Sequence, residues 1–249
     1  MAKLAGKIAV ITGGNSGMGR DTAKRFAEEG ASVVIFGRNQ ATLDSAAAEI
    51  GRNVLAVRGD VANMADLDAL YGQVQKTYGR IDILFANAGM AELAPLGAIT
   101  EEHFDRLFNT NVRGLVFTVQ KALPLMADGG SILLNASIAG MKGMEAFSIY
   151  SATKAAVRSL ARSWTNDLKT RRIRVNSISP GPIETPIYGR MGLTQEQIAG
   201  FGQAILPQVP MRRFGKGSEV ASAALFLASE DSSYISGIDL AIDGGMAQI

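Results

Sequence analysis

Two side chains one helical turn apart are the first residues in this sequence whose types and spacing suggest chemistry. Tyr150 and Lys154 lie at i and i+4, which places them on the same face of a helix. Lowering the pKa of a phenol from about 10 to roughly 7–8 requires about 3–4 kcal/mol. An ammonium at about 4 Å supplies roughly 4 kcal/mol at an effective dielectric constant of about 20. The pair therefore predicts a proton donor or acceptor that works near neutral pH.

Ser137 is the third candidate catalytic residue. It follows the apolar segment 131–135, which is a predicted strand, and ligands of open parallel sheets bind at the carboxyl ends of strands. A hydroxyl and a phenol directed at one oxygen can stabilise and protonate a developing alkoxide. The alternative is a surface tyrosine and lysine on an amphipathic helix.

A glycine-rich turn, TGGNSGMG at 12–19, joins the first predicted strand to an amphipathic helix. Such a turn lets the backbone approach a pyrophosphate, and the helix N-terminus offers free N–H groups and partial positive charge. The spacing is not that of the G-x-G-x-x-G motif, and a turn without chemical meaning is the alternative. The expected cofactor contacts here are Gly13, Asn15, Ser16, Gly17, Met18 and Gly19.

The end of the second predicted strand indicates which cofactor binds. In dinucleotide-binding folds an acidic residue at this point bonds the ribose 2′-hydroxyl, but here Phe36 is followed by Gly37, Arg38 and Asn39. A carboxylate would repel a 2′-phosphate, whereas an arginine can bind it through two hydrogen bonds. These residues predict NADP(H) in preference to NAD(H). The alternative is that Arg38 is a solvated turn residue.

Two further strand ends carry candidate cofactor contacts. Asp60, followed by Val61, can accept a hydrogen bond from the adenine amino group or can cap the next helix, and both roles are open. After the fourth strand come Asn87, Ala88 and Gly89, small residues that let the backbone run beside the cofactor ribose.

Apolar strands alternate with amphipathic helices along the whole chain. Strands are predicted at 8–11, 32–36, 54–57, 81–85, 131–135, 174–177 and 237–242, and helices at 18–29, 40–50, 64–78, 101–126, 149–170, 195–204 and 218–228. This alternation predicts an α/β fold with a parallel, doubly wound sheet covered by helices on both faces. Because no linker or repeat interrupts it, we expect a single domain over residues 1–249.

Two loop-like stretches are expected to flank the catalytic edge. Segment 179–193 contains three prolines and three glycines, so we expect it to be irregular and to form a mobile lid. An adaptable apolar wall suits a bulky hydrophobic ketone, although methionines and aromatics more often belong to a core. The expected substrate-pocket residues are Ile138, Met144, Phe147, Ile187, Tyr188 and Met191. The apolar C-terminal tail, 243–249, is expected to pack at a subunit contact.

Composition excludes several functional classes. A net charge of +2 is too small to argue for nucleic-acid binding. The sequence contains no run of 18 apolar residues and therefore no predicted membrane span. We find no signal-peptide core before the first strand. A soluble cytoplasmic protein is expected, without disulfides because there is no cysteine. His103, the single histidine, is expected at the surface, and no cluster has the spacing of metal ligands.

The ordered motifs resemble the short-chain dehydrogenase/reductase superfamily over the whole chain. The motifs are TGGNSGMG at 12–19, Asp60, NAG at 87–89, Asn111, Ser137, Tyr150 with Lys154, and PGPIET at 180–185. Within that superfamily the sequence is similar to bacterial NADPH-dependent carbonyl reductases and secondary alcohol dehydrogenases. One departure is Ala86, where the family often has a further asparagine.

The resemblance implies a three-layer αβα Rossmann fold with a seven-stranded sheet, usually in a homotetramer built as a dimer of dimers. It implies that Tyr150 is the general acid/base, that Lys154 lowers its pKa and binds the ribose, and that Ser137 polarises the carbonyl. Asn111 would hold a water that relays protons from Lys154; a structural bridge by a buried asparagine is the alternative. Further cofactor contacts are expected at Pro180, Gly181, Ile183 and Thr185.

The resulting prediction is reversible NADP(H)-dependent hydride transfer between a ketone and its secondary alcohol. One alternative is a 3-oxoacyl-thioester reductase, which would need a basic docking patch for an acyl carrier, with candidates Arg158, Arg162, Arg171 and Arg172. The other is a non-catalytic NADP(H)-sensing module, which the presence of Tyr150 and Lys154 disfavours.

Overall fold

A seven-stranded parallel sheet forms the centre of the molecule. The structure, a computed structural model, describes residues 2–51, 53–187, 189 and 194–249. The strands lie in the order β3-β2-β1-β4-β5-β6-β7. The chain adds β2 and β3 on one side of β1 and then β4 to β7 on the other, so the topological switch point lies between β1 and β4. This confirms the predicted sheet. The strands are β1 (Ile8–Thr12), β2 (Ser32–Gly37), β3 (Val54–Arg58), β4 (Ile81–Ala86), β5 (Met126–Asn135), β6 (Arg174–Pro180) and β7 (Asp239–Ile242).

Helices cover both faces of this sheet and bury two separate apolar layers. The helices are α1 (Gly17–Glu28), α2 (Gln40–Ile50), α3 (Met64–Tyr78), α4 (Glu101–Phe108), α5 (Leu115–Ala122), α6 (Ser148–Asp167), α7 (Gln195–Ile205) and α8 (Gly217–Ala228). Residues of α1, α2 and α8 share one layer with the sheet, and residues of α3, α5 and α6 share the other. Because β1, β2 and β4 are buried on both faces, they read in sequence as unbroken apolar runs.

The helix predicted over 101–126 is confirmed only as far as Ala122, and it contains a π-helical segment. The chain is helical in α4, passes through a π-helical segment at Asn109–Gly114 and ends as α5 at Ala122. Pro124 has no N–H to continue the helical hydrogen bonds, and β5 begins at Met126 rather than at the predicted position 131.

Segment 179–193 is only partly irregular. Ser179 and Pro180 complete β6, where they pair with β7, and Ile183 forms a parallel bridge with Gly215. The expected pocket residues Tyr188 and Met191 lie outside the described residues, as do positions 190, 192 and 193 of the expected lid.

His103 is buried rather than at the surface. Only 7% of it is exposed, and its Nδ1 lies 3.4 Å from a carboxylate oxygen of Glu92. Arg106 contacts that carboxylate with two donors. The three side chains therefore hold α4 against the loop that follows β4.

No helix among the described residues is long and apolar enough to cross a membrane.

Candidate active site

A cleft of about 490 Å³ opens at the carboxyl edge of the sheet, above the topological switch point between β1 and β4. Candidate catalytic, cofactor-binding and substrate-pocket residues line it. All the expected cofactor-binding positions line this cleft, as do Ser137 and four expected pocket residues, Ile138, Met144, Phe147 and Ile187. The structure thus brings together nearly every candidate residue; Asn111 lies behind the cleft wall.

The glycine-rich turn forms a concave end of the cleft at the N-terminus of α1. A Cβ added at Gly19 would lie 2.3 Å from the Gly13 carbonyl oxygen, so only glycine allows this tight turn. Ser16 precedes the helix without a side-chain cap, and the first turn contains no acidic residue. The first N–H groups of a helix have no partner within it. This end of the cleft therefore suits a pyrophosphate group.

Hydrogen bonds between strand ends hold the floor of the cleft rigid. The Thr12 hydroxyl accepts from the backbone N–H groups of Asn87 (3.1 Å) and Ala88 (3.0 Å). The Asn87 amide donates to the Thr12 carbonyl (2.9 Å), and Asn135 donates to the Asn87 side chain (3.1 Å). Three neighbouring strands are tied together where a cofactor ribose would lie.

The corner after β2 presents one guanidinium and no acidic side chain at Gly37. Arg38 is largely exposed, and its Nη1 lies 3.7 Å from the Asp60 carboxylate. Asp60 does not cap α3, since that position belongs to Asn63; it accepts instead from the Ala62 N–H at 2.9 Å. Asn39 caps α2 by accepting from Thr42.

The catalytic candidates meet in the middle of the cleft. Ser137 lies two residues after the end of β5, and its side chain is within hydrogen-bonding reach of the Tyr150 hydroxyl. The Lys154 ammonium donates to the Asn135 carbonyl oxygen at 2.7 Å and lies 5.7 Å from the centre of the Tyr150 ring. Two hydroxyls are thus placed to contact one substrate oxygen, with a cation behind them.

Burial dominates the titration of both residues. Burial raises the pKa of Tyr150, and the Ser137 hydrogen bond opposes that rise. Burial also lowers the pKa of Lys154 to about 8, because the ammonium is removed from water without a carboxylate partner. The sequence suggests a lowered pKa for Tyr150, whereas desolvation sets the direction in the folded protein and raises that pKa.

Asn111 sits in the π-helical segment and bridges two elements. Its Oδ1 accepts from the Met90 N–H (2.9 Å), and its Nδ2 donates to the Met90 carbonyl (2.9 Å) and to the Thr153 hydroxyl (3.1 Å). These contacts are those of a structural bridge. A role in proton relay stays a prediction.

The substrate side of the cleft contains apolar residues that sequence reasoning missed. Ala91, Ile205 and Met246 line it and are at least 95% buried. Met246 packs with Ile138, Ile205 and Val209, so this part of the tail is buried within its own chain. Only the apolar character of the tail hinted at this, because no local pattern shows which surface a chain end will cover.

The residues fit a nicotinamide dinucleotide: a glycine cradle, a rigid floor and a proton-donating group lie along one cleft. Among the described residues there is no group of three or more His, Asp or Glu that could hold a metal ion.

Comparison with known proteins identifies the family. A family model described as Enoyl-(Acyl carrier protein) reductase matches residues 13–247. Oxidoreductase asL5 of Sarocladium schorii is 49% identical over 99% of this chain and 98% of its own length. The chain belongs to the short-chain dehydrogenase/reductase family.

Solved structures of short-chain dehydrogenases/reductases superpose over nearly the whole chain. Levodione reductase is 32% identical with a TM-score of 0.93, covering 98% of this chain and 99% of its own. A 3-ketoacyl-(acyl-carrier-protein) reductase from Brucella melitensis, complexed with NADH, is 34% identical with a TM-score of 0.89 and the same coverage. This short-chain dehydrogenase/reductase is therefore an oxidoreductase of a family that uses a nicotinamide cofactor.

Proposed function

We propose that the protein is an NADP(H)-dependent carbonyl reductase, acting reversibly on a bulky hydrophobic ketone and its secondary alcohol. The carrying observation is the Ser137–Tyr150 hydroxyl pair, which faces a cleft with a dinucleotide cradle at one end and an apolar wall at the other. Two hydroxyl donors suit protonation of oxygen, which is carbonyl reduction, better than protonation of an alkene carbon.

The nicotinamide supplies the hydride when it is bound, and the chain's own residues manage the proton and the charge. Ser137 and Tyr150 hydrogen-bond the substrate oxygen, and Tyr150 donates its proton as the alkoxide develops. Lys154, held by the Asn135 carbonyl, stabilises the tyrosinate that results. The apolar wall excludes water from the reacting carbon.

Replacing Tyr150 by phenylalanine tests this mechanism directly. In Tyr150→Phe, cofactor binding should persist while turnover falls roughly 10²–10⁴-fold, the range for loss of a general acid. The measurement is steady-state ketone reduction beside fluorescence titration with NADPH. Tyr234→Phe is the matched control, because Tyr234 is fully exposed. Retained turnover in Tyr150→Phe would contradict the proposal and revive a cofactor-sensing role.

Preference for NADP(H) is proposed from the Gly37–Arg38 corner. An Arg38→Gln variant should raise KM for NADPH roughly 10–100-fold, since a charged hydrogen bond contributes about 1.5–3 kcal/mol. KM for NADH should stay within about twofold, because NADH has no 2′-phosphate. Lys76→Gln removes the same charge from an exposed position on α3 and serves as control. Equal changes for both cofactors would contradict this assignment.

A carboxylate introduced at Gly37 would test the same point less cleanly. A Cβ there would lie 2.5 Å from the Asn15 side-chain oxygen, and Asn15 belongs to the cradle and donates to Thr42. The substitution would therefore disturb phosphate binding as well as the 2′ corner.

The rival activity, reduction of a 3-oxoacyl thioester, needs a docking surface for its carrier. Two of the four candidate arginines are already engaged: Arg158 pairs with Asp239 and Arg171 with Asp128. Turnover of free hydrophobic ketones without turnover of acyl thioesters would exclude this rival, and the reverse result would establish it.

A further inference from the structure

Helix α6 carries a second cation, Arg158, on the face that presents Tyr150 and Lys154. Arg158 follows Lys154 by one helical turn, so the three side chains line one side of the helix. Its Nε lies 2.6 Å from Asp239 Oδ2, and its Nη1 donates to the Gly140 carbonyl oxygen at 3.1 Å. The guanidinium therefore joins α6 to the sheet and to the segment that follows Ser137.

The carboxylate that holds Arg158 is itself fixed by the sheet. Asp239 is the first residue of β7, and its side chain is 10% exposed. The hydroxyls of Ser177 and Ser179 on β6 donate to it at 2.6 and 2.8 Å, and both serines are fully buried. Arg158 is thus anchored at a point that two strands define.

Gly140 belongs to the turn that orients the Ser137 hydroxyl. Ser137 begins a 3₁₀ turn over Ile138–Gly140, in which the Ala139 N–H donates to Ser137 Oγ at 3.2 Å. The Gly140 N–H donates to the Ser137 carbonyl at 2.9 Å. Any movement of this turn therefore redirects the hydroxyl.

The same turn lies directly on α6. A Cβ added at Gly140 would lie 2.9 Å from the backbone nitrogen of Ala155 and from the carbonyl carbon of Lys154. The close packing against the α6 backbone and the hydrogen bond from Arg158 both involve Gly140. The turn that carries Ser137 and the helix that carries Tyr150 therefore meet at this residue.

We propose that Arg158, anchored by Asp239, is a positioning residue that holds the Ser137 turn against α6 and so places the Ser137 hydroxyl beside that of Tyr150. This inference rests on the proposed function, since it concerns the same two hydroxyls. It assigns Arg158 no contact with substrate or cofactor, and Arg158 does not line the cleft.

The test compares two variants of Arg158 with a control on the same helix. Arg158→Met removes both hydrogen bonds, and kcat should fall roughly 10–100-fold, the cost of misplacing a catalytic group by about 1 Å. Cofactor Kd should stay within about twofold. Arg158→Lys retains a cation beside Asp239 but lacks the planar fork that reaches both partners. Its Tm should approach that of the wild type while kcat stays several-fold low. Arg162→Met, at an exposed position of α6, should change neither quantity.

A measurement without turnover separates positioning from general stabilisation. The Ser137 hydrogen bond lowers the pKa of Tyr150, so its loss in Arg158→Met should raise that pKa. Ultraviolet titration of tyrosinate, taken as the difference from the matching Tyr150→Phe protein, measures the change without substrate.

Two results would overturn the inference. In the first, Arg158→Met is less stable but keeps the wild-type kcat per folded molecule and an unshifted tyrosinate titration. In the second, Arg158→Lys has a low Tm but the full wild-type kcat. If Tyr150→Phe lost turnover while Arg158→Met behaved in this way, the proposed function would stand and only this inference would fail.

Discussion

Lys154 is a buried cation whose nearest stabilising contact is a carbonyl oxygen rather than a carboxylate. Burial holds its pKa at about 8, so near neutral pH the folded protein keeps a charge that it would be more stable without. Residues that serve chemistry often reduce stability in this way. The sequence predicted that Lys154 belongs beside Tyr150. It did not predict the direction of the Tyr150 pKa change, because desolvation depends on residues from distant strands.

Replacing this lysine with an apolar side chain should therefore stabilise the protein near neutral pH. A pKa lowered from 10.5 to about 8 corresponds to about 3 kcal/mol of destabilisation below pH 8. Loss of the hydrogen bond to Asn135 offsets about 1–2 kcal/mol, so Lys154→Met should gain about 1–2 kcal/mol at pH 7 while losing turnover.

The pH dependence of that gain follows from the sign of the shift. Between pH 8 and 10.5 the unfolded wild type binds a proton that the folded wild type has released, so wild-type stability rises relative to that of the variant. Urea unfolding of both proteins at several pH values measures the gap, with Lys76→Met as the exposed control. A gap that stays constant between pH 7 and 10 would show that Lys154 is not desolvated.

At the scale of elements, local signals determined what could be predicted. The bounds of α2 and α3 agree with prediction because asparagine caps begin both helices and Gly51 and Gly79 end them. The predicted end of the helix over 101–126 was wrong because its apolar pattern continues through Pro124. Periodicity also does not reveal the π-helical segment. That segment matters to the site, since it places Asn111 against Met90.

The bridge by Asn111 gives a stability prediction. Replacing it with alanine removes both hydrogen bonds to the half-buried backbone of Met90, and each such bond contributes about 0.5–1.5 kcal/mol where water can take its place. Asn111→Ala should therefore lower the free energy of unfolding by about 1–3 kcal/mol, measured in urea. Asn109→Ala is the matched control, an exposed asparagine in the same segment. Equal losses of unfolding free energy in the two variants would show that the hydrogen bonds from Asn111 to Met90 do not stabilise the fold.

At the scale of the whole molecule, the cleft combines residues from position 13 to position 246. Parallel strand order brings the strand ends together, and this much follows from alternating strands and helices. The contribution of Met246 to the substrate wall does not follow from it, because the chain reaches that position only after β7, by folding back over the cleft. Asp243 fixes this return by accepting from the N–H groups of Gly245 and Ala247.

Met246 should accordingly influence which ketones bind. Shortening it to alanine removes buried apolar contact worth about 2–5 kcal/mol in a well-packed site and enlarges the pocket. We expect Met246→Ala to raise KM for small ketones and to improve kcat/KM for bulkier ones, measured across a homologous substrate series. Ile249→Ala, in the same tail but 91% exposed, is the control. An unchanged kcat/KM across the substrate series would show that Met246 does not determine which ketones bind.

The contact between Asn111 and Met90 also bears on how such a protein diversifies. One side chain, rather than a neighbouring strand, satisfies both polar groups of Met90. Strand β4 has already ended at Ala86, so the segment 91–98 lies outside the sheet. That segment contributes Ala91 to the substrate wall yet takes no part in sheet register. Insertions and exchanges there leave the strands in place, and this makes the segment a natural position for evolution, or for laboratory recombination, to change substrate range while the cofactor half of the protein stays intact.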